Sequence, residues 1–287
     1  MLRLQAHDLL PGRRVSGPGN WSKIQLHMRE GGQLSPLLPL GADAGLVWIP
    51  KNGCSTLKRV WLQTKGADCK APGFDPHPAA LSYTHWLNQE ELQAVAEHRA
   101  LVAIWRDPID RFVSACRSHL VELTTGAIHG KLCSSSPDQR SFDDALRFHQ
   151  ELFTSHGVGS FPDDADPADV MNLAALQLPA WIACHIDWSH HTIPQTSFLG
   201  GDPSCYRTIL GMGEINALVA HWSKASGLSL DLTPQHVSSQ EANDNRWRSL
   251  RRDQLSPQAI SALQSFYAAD WAFLALAQQQ LGSWQAA

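Results

Sequence analysis

The sequence predicts an α/β fold with a central parallel sheet, and three observations carry that expectation. The run Gly45-Leu46-Val47-Trp48-Ile49 is short, apolar and bounded by Gly and Pro, as a strand buried on both faces would be. Leu101-Val102-Ala103-Ile104-Trp105 is a second run of the same kind. Each leads through a short turn into a segment with apolar side chains at helical spacing. Strands alternating with helices imply parallel pairing, with ligands at the C-terminal ends of the strands.

The elements follow in chain order. After the first strand, Pro50 to Ser55 reads as a turn, and from Thr56 the pattern turns helical with Leu57, Val60 and Trp61 on one face. Pro and Gly cluster at 71–78 and 157–167, which read as surface loops. After the second strand, Asp107 suits an N-cap, Pro108 the first helical position, and Asp110 the first turn. Ile109, Phe112, Val113, Cys116 and Leu120 then share one apolar face. Later segments look mainly helical. The clearest is 258–281, where Ile260, Leu263, Phe266, Tyr267, Leu274 and Leu281 recur near the helical period.

Composition narrows the class. With 287 residues, 43% hydrophobic and 17% charged, the chain can bury a large core and is too apolar for disorder. No stretch reaches the roughly 20 apolar residues that span a bilayer. The best candidate, 173–186, is interrupted by Gln177, Pro179 and His185. The N-terminus lacks the apolar run of a signal peptide. A formal charge of −4 excludes a general nucleic-acid binder. Six scattered cysteines without a CxxC argue against a zinc module or a disulfide framework. The expectation is a soluble cytoplasmic enzyme of open oligomeric state. Charge is uneven: residues 1–70 hold ten Lys or Arg against four acids, which suggests an anion site there.

The turn after the first strand carries the chemistry. In Pro50-Lys51-Asn52-Gly53-Cys54-Ser55-Thr56-Leu57-Lys58, a strand end meets a helix N-terminus, so backbone N–H groups converge and the helix dipole adds about half a positive charge. Gly53 admits close backbone approach, Ser55 and Thr56 offer hydroxyls, and Lys51 brings a mobile cation. It is not a Walker A loop, since GxxxxGK[ST] is absent and the Lys precedes the Gly.

This turn resembles the 5′-phosphosulfate loop of sulfotransferases, Pro-Lys-x-Gly-x-[Ser/Thr]. Arg106-Asp107-Pro108-Ile109-Asp110-Arg111-Phe112-Val113-Ser114-Ala115 resembles the 3′-phosphate signature of the same superfamily, above all its carbohydrate-type branch, family 2. The resemblance implies that Lys51, Asn52, Gly53, Cys54, Ser55 and Thr56 hold the 5′ end of 3′-phosphoadenosine 5′-phosphosulfate (PAPS), and that Arg106 and Ser114 grip its 3′-phosphate. Arg111 is expected to meet a structural carboxylate. His191-x-x-Pro194-Gln195 and Tyr267-x-x-Asp270 are similar to later family segments, so the match runs patchily from about residue 45 to 275. Cys54 departs from the family, which often has Thr or another small residue there.

The resemblance implies a three-layer α/β/α fold related to P-loop kinases, with 41–287 as the sulfotransferase domain and 1–40 as an N-terminal extension within it. It also implies an acceptor hydroxyl on a carbohydrate or glycosylated small molecule. Unlike the family's animal Golgi enzymes, the sequence shows no transmembrane anchor before the domain, so a bacterial version is expected. By analogy with phosphoryl transfer the transition state is loose, so positioning, charge stabilisation and a base dominate; less charge accumulates than in phosphoryl transfer, so no metal is required. Lys51 is the expected electrophilic partner and no metal is expected. His85, between the two motifs, is the expected base; His191 is the rival and is assigned to the acceptor side. Arg246, Arg248, Arg251 and Arg252 form a basic run that could close over phosphate or lie in solvent. A kinase-like phosphotransferase and a non-catalytic nucleotide or sulfated-glycan binder are the competing readings.

Overall fold

A computed structural model of the chain describes residues 13–14, 24–25, 27–70, 74–125, 165–184, 186–232 and 246–281. The described residues divide between two compact units. The first comprises 1–106, 194–236 and 269–287, and the second 107–193 and 237–268.

The first unit is built on a six-stranded sheet. Its strands are β1 (Arg13–Arg14), β2 (Ser35–Pro39), β3 (Ala44–Val47), β4 (His85–Leu87), β5 (Ala100–Trp105) and β6 (Tyr206–Gly211), in the order β1-β4-β2-β3-β5-β6. Parallel pairing holds for β3-β5-β6 only; β1-β4, β4-β2 and β2-β3 are antiparallel. The expected parallel sheet is borne out for β3-β5-β6, and antiparallel β2, β4 and β1 extend it on one side, so the whole sheet is mixed. The physical reason lies in connection length: four residues join β2 to β3, enough for a hairpin, whereas a parallel return needs a crossover of a dozen or more.

Helices α1 (Cys54–Thr64), α2 (Pro76–Leu81) and α3 (Gln89–Ala96) fill the connections between β3 and β5. Two of them open on side-chain caps: Asp75 accepts from the His77 N–H, and Asn88 with Glu91 forms a capping box. The expected loop over 71–78 thus ends in a helix, because Asp75-Pro76 is itself an N-cap followed by Pro at N1. Later in the chain come α8 (Thr196–Leu199), α9 (Ile215–Ser226) and α11 (Ala268–Leu281). Phe273 on α11 stacks on Trp105 with centroids 6.1 Å apart and meets Tyr206 edge-on at 6.3 Å, tying that helix to β5 and β6. Leu37, Leu38, Leu46, Val47, Leu101 and Ala103 are fully buried, and they form the centre of the core.

The second unit is helical: α4 (Pro108–Thr125), α5 (Pro167–Leu176), α6 (Leu178–Cys184), α7 (Ile186–Thr192) and α10 (Pro257–Phe266). Asp107 caps α4, accepting from the N–H groups of Ile109 and Asp110 at 2.9 and 3.0 Å. Phe112 and Trp181 both pack on Trp188, with centroids 6.0 and 5.7 Å apart. The long helix expected over 258–281 is two helices, α10 and α11, parted at Tyr267. Tyr267 donates its hydroxyl to the Thr192 carbonyl at 2.6 Å, a buried tertiary bond that propensity alone does not foretell. Among the described residues, no helix is long and apolar enough to cross a membrane. Most of the Pro- and Gly-rich stretch expected as a loop over 157–167 lies outside the described residues.

Candidate active site

In the first unit, the turn between β3 and α1 has an uncommon backbone. Lys51 has φ 68° and is the only described non-glycine residue with positive φ. A left-handed lysine costs about 1–3 kcal/mol, and such strain persists where the surroundings fix it, often at functional sites. Gly53 is also left-handed, with φ 71°, and a Cβ there would come within 2.8 Å of Ile215 Cδ1. The backbone angle favours glycine, and a side chain there would also have to push aside the tip of Ile215.

Gly53 is the N-cap of α1, so this helix has no side-chain cap, and no acid stands in its first turn. By contrast α2, α3, α5 and α10 are capped by Asp75, Asn88, Asp166 and Ser256. A helix start that lacks both a side-chain cap and a first-turn carboxylate presents its N–H groups and its positive dipole end to an external anion. Cys54 is buried, while Ser55 and Thr56, at the second and third helical positions, are half-buried.

A buried amide network holds this turn to the end of β5. Asn52, fully buried, donates to the Ile104 carbonyl at 2.8 Å and to Gln195 Oε1 at 2.6 Å. Gln195 Nε2 donates to the Arg106 carbonyl at 2.8 Å, and the Arg106 N–H reaches Gln195 Oε1 at 3.3 Å. The Arg106 guanidinium donates to the Lys51 carbonyl at 2.8 Å. Gln195 is fixed in turn by Asp270, which accepts from the Gln195 and Thr196 N–H groups at 2.9 and 3.0 Å. Gln195 thus joins Asn52 to Arg106, and Arg106 in turn holds the Lys51 carbonyl, so residues expected from two separate motifs meet. That glutamine stood in the sequence only as part of a weak resemblance. Its partner Asp270 belongs to the other weak segment.

Ser55 has a partner that sequence reading missed. Its Oγ lies 2.8 Å from His77 Nε2, and His77 Nδ1 lies 3.1 Å from Lys58 Nζ. Lys58 is buried, with its ammonium 3.2 Å from the Trp48 ring centroid. Burial pulls its pKa down to about 8, opposed by the nearby Cys54 and Asp75.

His85 lies on β4, 2% exposed, in the sheet row that pairs it with Leu37, which pairs in turn with Val47. Side chains in one row share a face. His85 therefore faces the Leu37–Val47 side of the sheet, opposite Trp86, whose ring meets Trp48 edge-on at 5.6 Å. The histidine brought to Ser55 is His77, not His85.

The remaining expected residues belong to the second unit. Ser114 is half-buried on α4, and His191 is half-buried on α7, edge-on to His190 with ring centroids 5.4 Å apart. Arg111 is fully buried and donates to the Ile193 carbonyl at 2.7 Å. In the basic run, Arg252 bridges Asp107 and Asp110 at 3.1 and 3.3 Å, while Arg251 pairs with Asp253 at 3.3 Å. Arg252 thus steadies the acids that open α4. No group of three or more candidate metal ligands occurs among the described residues.

A strand end, a left-handed turn and a helix start without a side-chain cap thus meet, with the Arg106 guanidinium hydrogen-bonded to the turn. In comparison with protein families, the model of the sulfotransferase family matches residues 46–275. The chain belongs to the sulfotransferase family, in the family 2 division, and is a transferase. No curated protein and no solved structure matches it.

Proposed function

We propose that this protein moves a sulfuryl group from PAPS to a hydroxyl of a carbohydrate or glycosylated small molecule. The observation that carries the reading is the β3–α1 turn, with Lys51 held left-handed before an uncapped helix start. In this reading the N–H groups of α1 and the Ser55 and Thr56 hydroxyls hold the 5′-phosphosulfate group, with Asn52, Gly53 and Cys54 shaping the turn. Arg106 and Ser114 are assigned to the 3′-phosphate by their motif. The carbohydrate class of acceptor rests on the likeness of 106–115 to the carbohydrate-type branch, and His191 is assigned to the acceptor side. The three-layer P-loop-kinase-like arrangement, with 41–287 as the catalytic domain and 1–40 as its extension, belongs to the same reading. The four cysteines whose side chains are described are unpaired, which suits a reducing cytoplasm.

The acceptor oxygen attacks sulfur as the bond from sulfur to the 5′-phosphate oxygen breaks; the acceptor's proton passes to a base, and adenosine 3′,5′-bisphosphate leaves. Lys51 offsets the charge gathering on the leaving oxygen. His85 is the proposed base, assigned by its place between the two motifs; at 2% exposure beside the fully buried Leu37 and Val47, it meets an acceptor hydroxyl only when that part of the core opens.

The test is a transfer assay with sulfur-labelled PAPS against a panel of monosaccharides, oligosaccharides and glycosylated small molecules, with and without EDTA. Label should pass to at least one acceptor at a rate unchanged by the chelator. Transfer lost on chelation and restored by Mg²⁺, or phosphate transfer from ATP instead, would shift the assignment to a phosphotransferase.

A further inference from the structure

Lys58 and His77 are polar groups that the proposed reaction does not use, and they lead to Ser55, which it does. Two of the three lie on α1 and the third on α2, and the outer end is a hydroxyl of the donor loop. We infer that His77 is a positioning residue that, held by Lys58, fixes the Ser55 hydroxyl as a hydrogen-bond donor toward the 5′-phosphosulfate group. The inference rests on the donor-loop reading above.

The proton logic follows from the donor inventory. An ammonium can only donate, so His77 Nδ1, 3.1 Å from Lys58 Nζ, must accept. The neutral imidazole then carries its proton on Nε2 and donates it to Ser55 Oγ, 2.8 Å away. With that oxygen lone pair taken, the serine's own proton points elsewhere and serves an anion at the loop. Deprotonated Lys58 releases the constraint: Nδ1 can then carry the proton, and Nε2 accepts from Ser55, withdrawing the donor from the loop.

The groups around Lys58 are the Asp75 carboxylate at the start of α2, the Cys54 thiol one turn back on α1, His77 itself, and the Trp48 ring face after β3. The carboxylate, the thiol and the ring favour the charged amine, while burial opposes it more strongly, so the pKa falls to about 8. The switch therefore operates just above neutrality.

The experiment measures binding of adenosine 3′,5′-bisphosphate by calorimetry from about pH 7 to about pH 9.5. Wild-type affinity should fall about tenfold across that range, the loss of one charge-assisted contact. Its midpoint should lie near the Lys58 value of about 8. His77→Ala should bind about tenfold more weakly at neutral pH and show no further fall. His77→Gln, whose amide can accept from Lys58 and donate to Ser55, should recover most of the neutral-pH affinity. A flat wild-type profile, or an equal fall in His77→Ala, overturns the relay while the donor reading stands. Failure to bind the bisphosphate at any pH overturns both. Nitrogen NMR of the wild-type imidazoles gives a readout that needs no variant: His77 should carry its proton on Nε2 at neutral pH, and a proton on Nδ1 would contradict the relay.

Discussion

Lys51→Ala is expected to lower turnover by about 10²–10³-fold, the loss found when a single preorganised donor to a developing oxyanion is removed. It should also weaken adenosine 3′,5′-bisphosphate about tenfold, because an ammonium at the loop touches the donor before reaction as well as in the transition state. Backbone strain is the complication, since Lys51 has φ 68° and Ala tolerates that conformation no better. Lys51→Gly separates the two effects. It should unfold at a higher temperature than Lys51→Ala yet be equally slow. Turnover restored in the glycine variant would mean that the position matters for its backbone and not for its charge.

His85→Ala carries the second large effect. As the base, His85 should be worth about 10²–10⁴-fold in turnover, with bisphosphate affinity held within about twofold. The residue is 2% exposed within a strand, so truncation also removes core contacts, and turnover has to be counted per folded molecule. A variant that melts earlier but keeps more than about a tenth of wild-type turnover per folded molecule would make His85 a core residue. His191→Ala is the companion: if His191 is the base instead, it loses turnover while His85→Ala remains active.

The parallel half of the fold was legible because it is written in local patterns. The expected strand 45–49 is β3 with its following residues, 101–105 lies within β5, and the helix expected from Thr56 is α1, which begins at Cys54. Asp107 caps α4 as its position next to Pro108 implies. The antiparallel half was not legible. β1 and β4 are two and three residues long, too short for any periodicity to register.

The site divides in the same way. Lys51, Gly53 and Ser55 stand in one contiguous motif and were visible. The Asn52–Gln195 bond spans 143 positions, and no local pattern marks such a pair. Arg111 donates to the Ile193 carbonyl, a backbone partner that leaves no trace in residue type; the carboxylate expected for it is not decided by that bond. His77 lies in a Pro-rich stretch that reads as a loop. The Asp75-Pro76 step was the signal that a helix starts there, and a histidine in its first turn could then have been weighed.

The central claim is that this site is built for a nucleotide bearing phosphate at both the 3′ and 5′ positions. Calorimetry with adenosine 3′,5′-bisphosphate and adenosine 5′-phosphate tests it most directly, because the two ligands differ only in the group assigned to Arg106 and Ser114. The bisphosphate should bind roughly 10- to 150-fold more tightly, the worth of a charged hydrogen-bonded contact of about 1.5–3 kcal/mol. Arg106→Ala should erase most of that difference. Equal affinity of the wild-type protein for the two nucleotides would contradict the assignment.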